Sequence, residues 1–159
     1  MWASQLRVDQ PLMIAECLRS GLFPESDPCI IAALIAAFVY DREIEIEFGQ
    51  SMAPKELASA YITMEKELFP FTERKRAQGF QVRTLPLWTA ATMYAWASGV
   101  EWEKVLEIAD MTEGDLAMLV SRTADNLRQV ASLGKFYPAI ASAADQAITL
   151  ILKEPAVYD

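Results

Sequence analysis

Apolar positions recur three and four residues apart through most of this chain, the spacing that gives a helix one buried face, and the pattern predicts seven helices. Asp9 is placed to cap the first, which begins at Gln10 or Pro11, turns Leu12, Ala15, Cys17 and Leu18 to the core and stops at Gly21. The second repeats the device, with Asp27 as cap and Pro28 at its first position. Its stretch "CIIAALIAAFVY" is apolar on every side, so this helix is predicted to be central. A long amphipathic helix runs from Pro54 to about Arg76, with Leu57, Ala60, Tyr61, Met64, Leu68 and Phe71 on its stripe and Pro70 as a point of bending. Arg74, Lys75 and Arg76 suit the negative end of that helix dipole, and only secondarily suggest phosphate contact.

Pro86 opens a fourth helix, whose Leu87, Ala90, Ala91, Tyr94 and Ala95 form an apolar stripe ended by Gly99. A fifth spans about residues 101 to 110 and a sixth, over 112–134, begins at Thr112. The seventh, about Tyr137 to Lys153, carries Ala139, Ile140, Ala143, Ala147, Ile148 and Ile151. The expected fold class is therefore all-α: a single bundle of about seven helices with a short extended segment at its N-terminus.

Two stretches break the helical period. Residues 1–8, "MWASQLRV", alternate as an edge strand would, but no pairing partner is evident, so the segment reads as the edge of something larger or as an N-terminal arm. Residues 41–53 alternate Ile44, Ile46 and Phe48 with Glu43, Glu45 and Glu47, and read as a partly extended loop. Those carboxylates are a solvated face rather than a metal cluster on this pattern.

The sixth helix carries two stripes. Thr112 and Asp115 make an acidic variant of the capping box, which fixes its start. At about 100° per residue, Leu116, Leu119, Val120, Thr123, Leu127 and Val130 fall on one side, the expected core face. Met118, Arg122, Asp125 and Gln129 fall on a second, narrow stripe. One reading makes Arg122 and Asp125 a surface ion pair worth about 0.2–0.5 kcal/mol. The other makes the row a nucleic-acid contact, because a thioether, a guanidinium, a carboxylate and an amide can stack on bases and bond their edges. Spacing alone does not choose between them.

Composition narrows the function. The 159 residues are one domain's worth of chain, and 53% of them are hydrophobic, with a mean hydropathy of +0.14, so apolar faces are wide or await a partner. The longest apolar run, Cys29 to Tyr40, is too short for a membrane span, which needs about 20 residues. No secretory leader pattern is present at Met1, and the expected location is cytoplasmic. Cys17 and Cys29 read as free thiols in apolar helices. The chain has no histidine, which removes Ser/His and Cys/His nucleophile pairs, and neither cofactor nor metal ligation is expected from its residues. A net charge of −8 argues against broad electrostatic capture of nucleic acid.

The order of "SQLRVDQPLMIAECLRSGLF", "IIAALIAAFVYD" and "LWTAATMYAWASGVEWEKVLEIADMTEGDLAMLVSRTADNLRQV", closed by a final helix, resembles the DSHCT domain, the C-terminal helical bundle of Ski-like DExH RNA helicases. The similarity runs from about Ala3 to Val157. Its most specific part is "YAWASG" followed by "MTEGDLAMLVSRTADNLRQV". In that family the bundle follows two RecA-like ATPase domains and a winged-helix domain. Its long late helix, the ratchet helix, lines the channel for single-stranded RNA.

The resemblance implies a division into an extended linker at 1–8 and a bundle at 9–159, with the ratchet-like helix at 112–134. It places the family's basic and acidic RNA-facing residues, three apart, on Arg122 and Asp125, with Met118 and Gln129 on the same stripe. Eukaryotic members carry more basic residues where this chain has Met118 and Ser121, which weakens the case for phosphate contact from this helix. The implied partners are the chain's own RecA-like and winged-helix domains and single-stranded nucleic acid, RNA by the family, with no membrane. This chain has neither a phosphate-binding Gly-x-x-x-x-Gly-Lys-Ser/Thr loop nor a DExH motif, so ATP and magnesium are expected in ATPase domains of a longer parent. A competing expectation is a free-standing helical interaction module without ATPase activity, docking a protein through Trp2, Trp96 and Trp102, although tryptophans of this kind are more often core.

Overall fold

Asp27 begins the organising element of the fold. Its Oδ1 accepts the backbone N–H groups of Cys29 and Ile30 at 3.0 and 3.4 Å, which satisfies donors that a helix start leaves unpaired. The helix it caps, α2 (Pro28–Val39), buries every residue from Ile30 to Val39. A helix with no polar face must be surrounded. In the computed structural model, which describes residues 6–7, 10–23, 27–39, 54–81 and 87–153, α4 (Leu87–Ala97), α6 (Glu113–Ala131) and α7 (Pro138–Ile151) pack around it. The helices α1 (Gln10–Arg19) and α3 (Lys55–Ala77) also contact α2, and α5 (Trp102–Ala109) packs on α4. The protein is an all-α bundle of seven helices over the described residues.

The predicted stripes meet the core with particular exceptions. Leu57, Tyr61, Met64, Leu68 and Phe71 of α3 are buried, and the helix runs on through Pro70. Ala15 and Ala139, expected in the core, are exposed: one methyl group supplies little burial energy, so neighbouring large side chains decide which way each helix turns. On α4 the buried face is wider than the alanine stripe and includes Thr89, Thr92, Met93, Trp96 and Ala97, while Tyr94 and Ala95 are half-buried. Expectations for Trp2, the Asp9 cap, the side chains of Leu12 and Leu87, Pro86, and the 41–53 loop with Glu43, Glu45 and Glu47 lie outside the described residues.

The extended segment finds a partner that the sequence did not reveal. Leu6–Arg7 (β1) pairs in parallel with Phe80–Gln81 (β2), Leu6 opposite Phe80 and Arg7 opposite Gln81. Two residues per strand are too few to signal themselves by alternation. Gly79, with φ of 93°, makes the turn that carries the chain from α3 into β2.

Cys17 is wholly buried, and burial first, then the Glu16 carboxylate, push its thiol up to about 12. Cys29 is half-buried and shifted upward by burial and by Asp27. The thiolate is the reactive form, so Cys17 should resist alkylation at neutral pH until the chain unfolds, and Cys29 should react first. Mass-spectrometric counting of labelled thiols before and after denaturant checks this, and rapid native labelling of Cys17 would contradict it.

Candidate nucleic-acid interface

The start of α6 is built by two adjacent turns. Asp110 closes α5 in the left-handed conformation, φ 52° and ψ 47°, and Met111 donates its N–H back to the Leu106 carbonyl at 3.2 Å. Thr112 then caps α6, its Oγ1 accepting the Asp115 N–H at 3.1 Å, as the capping-box spacing predicts. The 19 residues that follow make a rod about 28 Å long.

One side of the rod is locked. Leu116, Leu119, Val120, Thr123, Ala124, Leu127 and Val130 are buried, the predicted face plus Ala124. They pack toward α2 and α7. The Thr123 hydroxyl, fully buried, has no hydrogen-bond partner among the described residues. With that face fixed, the helix cannot rotate, and whatever lies opposite is held toward solvent.

Opposite lie the four sequence-predicted residues. Met118 is 53% exposed, large for an apolar side chain, and Arg122, Asp125 and Gln129 are all exposed. The Asp125 carboxylate accepts from Arg128 Nη1 at 2.8 Å, a partner the stripe analysis left out although it too stands three residues away. Both side chains of that pair are more than half exposed, so it is worth about 0–1 kcal/mol and yields readily to a competing donor. The Arg122 carbonyl accepts from Asn126 Nδ2 at 2.9 Å, which ties the side chain of Asn126 along the helix. The site is therefore a row of a thioether, a guanidinium, a carboxylate and an amide on a helix fixed by its opposite face.

A family model for the DSHCT (NUC185) domain matches residues 1–158. The chain belongs to the DSHCT family. It is 22% identical over 142 residues, 84% of its length, to "ATP-dependent RNA helicase mtr4" of Schizosaccharomyces pombe. It is 38% identical over 61 residues, 38% of its length, to "DExH-box ATP-dependent RNA helicase DExH15 chloroplastic" of Arabidopsis thaliana. This DSHCT chain spans 12% and 5% of those relatives' lengths.

Other candidates fare differently. Trp96 and Trp102, offered as a docking surface, are 2% and 4% exposed in the DSHCT bundle, so their apolar area is already spent on the core. Trp2 lies outside the described residues. At the end of α3, Arg76 pairs with Glu73 at 2.6 Å and the Lys75 ammonium stands 5.6 Å from the Phe71 ring centroid, so these cations have local work. Among the described residues no three His, Cys, Asp or Glu side chains gather as a metal site, and no helix is long and apolar enough to cross a membrane.

Sequence reasoning missed Phe136, the most exposed large apolar side chain described, at 70%. It sits in the turn after α6, beyond the stretch in which a helical stripe was sought.

Proposed function

We propose that this domain is the C-terminal roof of the nucleic-acid channel in an ATP-dependent DExH RNA helicase. Residues 1–8 join it to a winged-helix domain, and residues 9–159 form the bundle whose 112–134 segment is the ratchet-like helix. Arg122 and Asp125 contact bases of single-stranded RNA as the RecA-like domains draw the strand past, with Met118 and Gln129 extending the row. The observation that carries this reading is the presentation of all four side chains on one solvent-facing stripe of a helix whose other face is locked in the core. Family membership and the printed names of the two helicase relatives supply the context.

The charge balance fits a subordinate role. A chain of net charge −8 gains little from phosphate neutralisation, so the positive potential must come from neighbouring domains, as must ATP and its magnesium ion. The isolated domain should bind single-stranded RNA weakly, and a salt-sensitive submicromolar affinity would count against this assignment. In the parent helicase, Arg122→Ala should slow strand separation roughly tenfold or more, the scale of losing a charged hydrogen bond, with RNA-stimulated ATP hydrolysis largely retained. Single-turnover unwinding beside an ATPase assay reads this, and unchanged unwinding would remove the role given to the stripe.

The competing reading, a free-standing helical module that docks a protein, loses its two described tryptophans to the core. It would rest instead on Ile62 and Phe69, exposed seven residues apart on α3.

A further inference from the structure

Exposed side chains continue past the end of α6 into the turn that follows it, at Ser132, Lys135 and Phe136. Met118, Arg122, Asp125 and Gln129 follow one another by four, three and four residues, and the next two steps of that period fall on Ser132 and Phe136. Backbone bonding carries the turn onward: Ser132 donates to the Arg128 carbonyl at 3.0 Å, Leu133 to Val130 at 3.0 Å, and both Phe136 and Tyr137 to Leu133 at 3.0 and 2.9 Å. Leu133 and Tyr137 are half-buried against the core, which holds the turn to the bundle.

Two of the four exposed large apolar side chains described thus stand on α6 and in the turn that follows it, Met118 at 53% and Phe136 at 70%. Charge changes along it too. From Leu119 to Tyr137 the chain carries Arg122, Arg128 and Lys135 against the single carboxylate Asp125, a net +2 in a chain of net −8. The Lys135 ammonium stands 5.9 Å from the centroid of the Phe136 ring. An aromatic face in water beside a cation is the combination by which proteins hold single strands, the ring stacking on a base and the cation meeting its phosphate. A singly exposed phenyl group is ordinary on a protein surface; the cation standing beside the Phe136 ring is what points to a ligand.

We propose that Phe136 is a base-stacking platform, with Lys135 as its phosphate contact, forming a second subsite for single-stranded RNA at the C-terminal end of the ratchet-like helix. This rests on the functional reading above and extends the contact from four side chains to the turn that follows them.

The test uses the chain as it stands, titrated to millimolar concentration at low salt against a dye-labelled twelve-nucleotide oligouridine, read by anisotropy. Phe136→Ala should weaken binding about fivefold or more, the scale of one stacked base, while Phe136→Trp keeps or strengthens it. Because stacking releases no counterions, Phe136→Ala should leave the dependence of affinity on salt unchanged, whereas Lys135→Gln should flatten it. A thermal melt of each variant should match the parent chain, since neither side chain is in the core. Loss of binding in Arg122→Ala with none in Phe136→Ala overturns this subsite and leaves the functional reading standing. Binding unaffected by either change, or absent throughout, overturns both.

Discussion

Trp96→Ala should lower the stability of the bundle by about 3–5 kcal/mol, the cost of deleting a buried indole and leaving its cavity. The number belongs at the upper part of the range for core changes because Trp96 holds three helices together. Its ring meets Trp102 at 5.0 Å between centroids and 72° between planes, joining α4 to α5 edge to face. Its Nε1 donates to the Ile151 carbonyl at 2.9 Å, joining α4 to the last residue of α7. Lys153 then covers the site: its ammonium lies 4.4 Å from the Trp96 ring centroid and donates to the Trp96 carbonyl at 3.0 Å. Alanine keeps that backbone carbonyl but removes the ring beneath the cation and the indole donor to Ile151, whose carbonyl then retains only the Lys153 N–H at 3.1 Å. For a chain of this length the melting temperature should fall roughly 6–20 °C, followed by far-UV circular dichroism. Trp96→Phe, which fills most of the space without the N–H, should lose less than half as much. A loss below about 1 kcal/mol for the alanine variant would mean that the three-helix junction does not bear the stability assigned to it.

That junction shows what a one-dimensional pattern carries and what it omits. The small residues of α4 were legible as a face for close packing, and Ala90 and Ala91 are indeed buried. For the tryptophan beside them only the general preference of tryptophan for the core was legible, since which contacts bury it depends on where Ile151 and Lys153 arrive from 55 and 57 residues away. Capping was legible at Asp27 and Thr112 because the donors and acceptors lie within three residues of each other. The β1 and β2 pairing was not, because its partners are separated by the whole of α1 to α3. At the candidate site, the stripe of Met118, Arg122, Asp125 and Gln129 needed only helical geometry, so its exposure could be derived before any coordinates. The Asp125–Arg128 pair needed side-chain rotamers, and the exposure of Phe136 needed the path of the chain after Ala131. Local order was readable, and long-range closure was not.

The separation of scaffold from contact can be tested on α6 itself. Leu127 lies about 140° around the helix from Arg122 and is fully buried, on the face that packs toward α2 and α7. Leu127→Ala should cost about 2–5 kcal/mol, with the spread set by how far the surrounding Leu, Ile and Ala side chains can close the cavity. Ala is a better helix former than Leu, so helix propensity does not contribute to the loss, which must come from packing. Arg122→Ala, on the exposed side, should stay within about 0.5 kcal/mol of the parent chain in the same melt. In the parent helicase the pattern should invert: below its melting range Leu127→Ala should unwind RNA at close to the unmodified rate, because the remaining core still fixes the rotation of the helix, whereas Arg122→Ala should be slow although fully folded. Should Arg122→Ala melt as early as Leu127→Ala, the guanidinium would be part of the scaffold, and slow unwinding by that variant would no longer speak for contact with RNA.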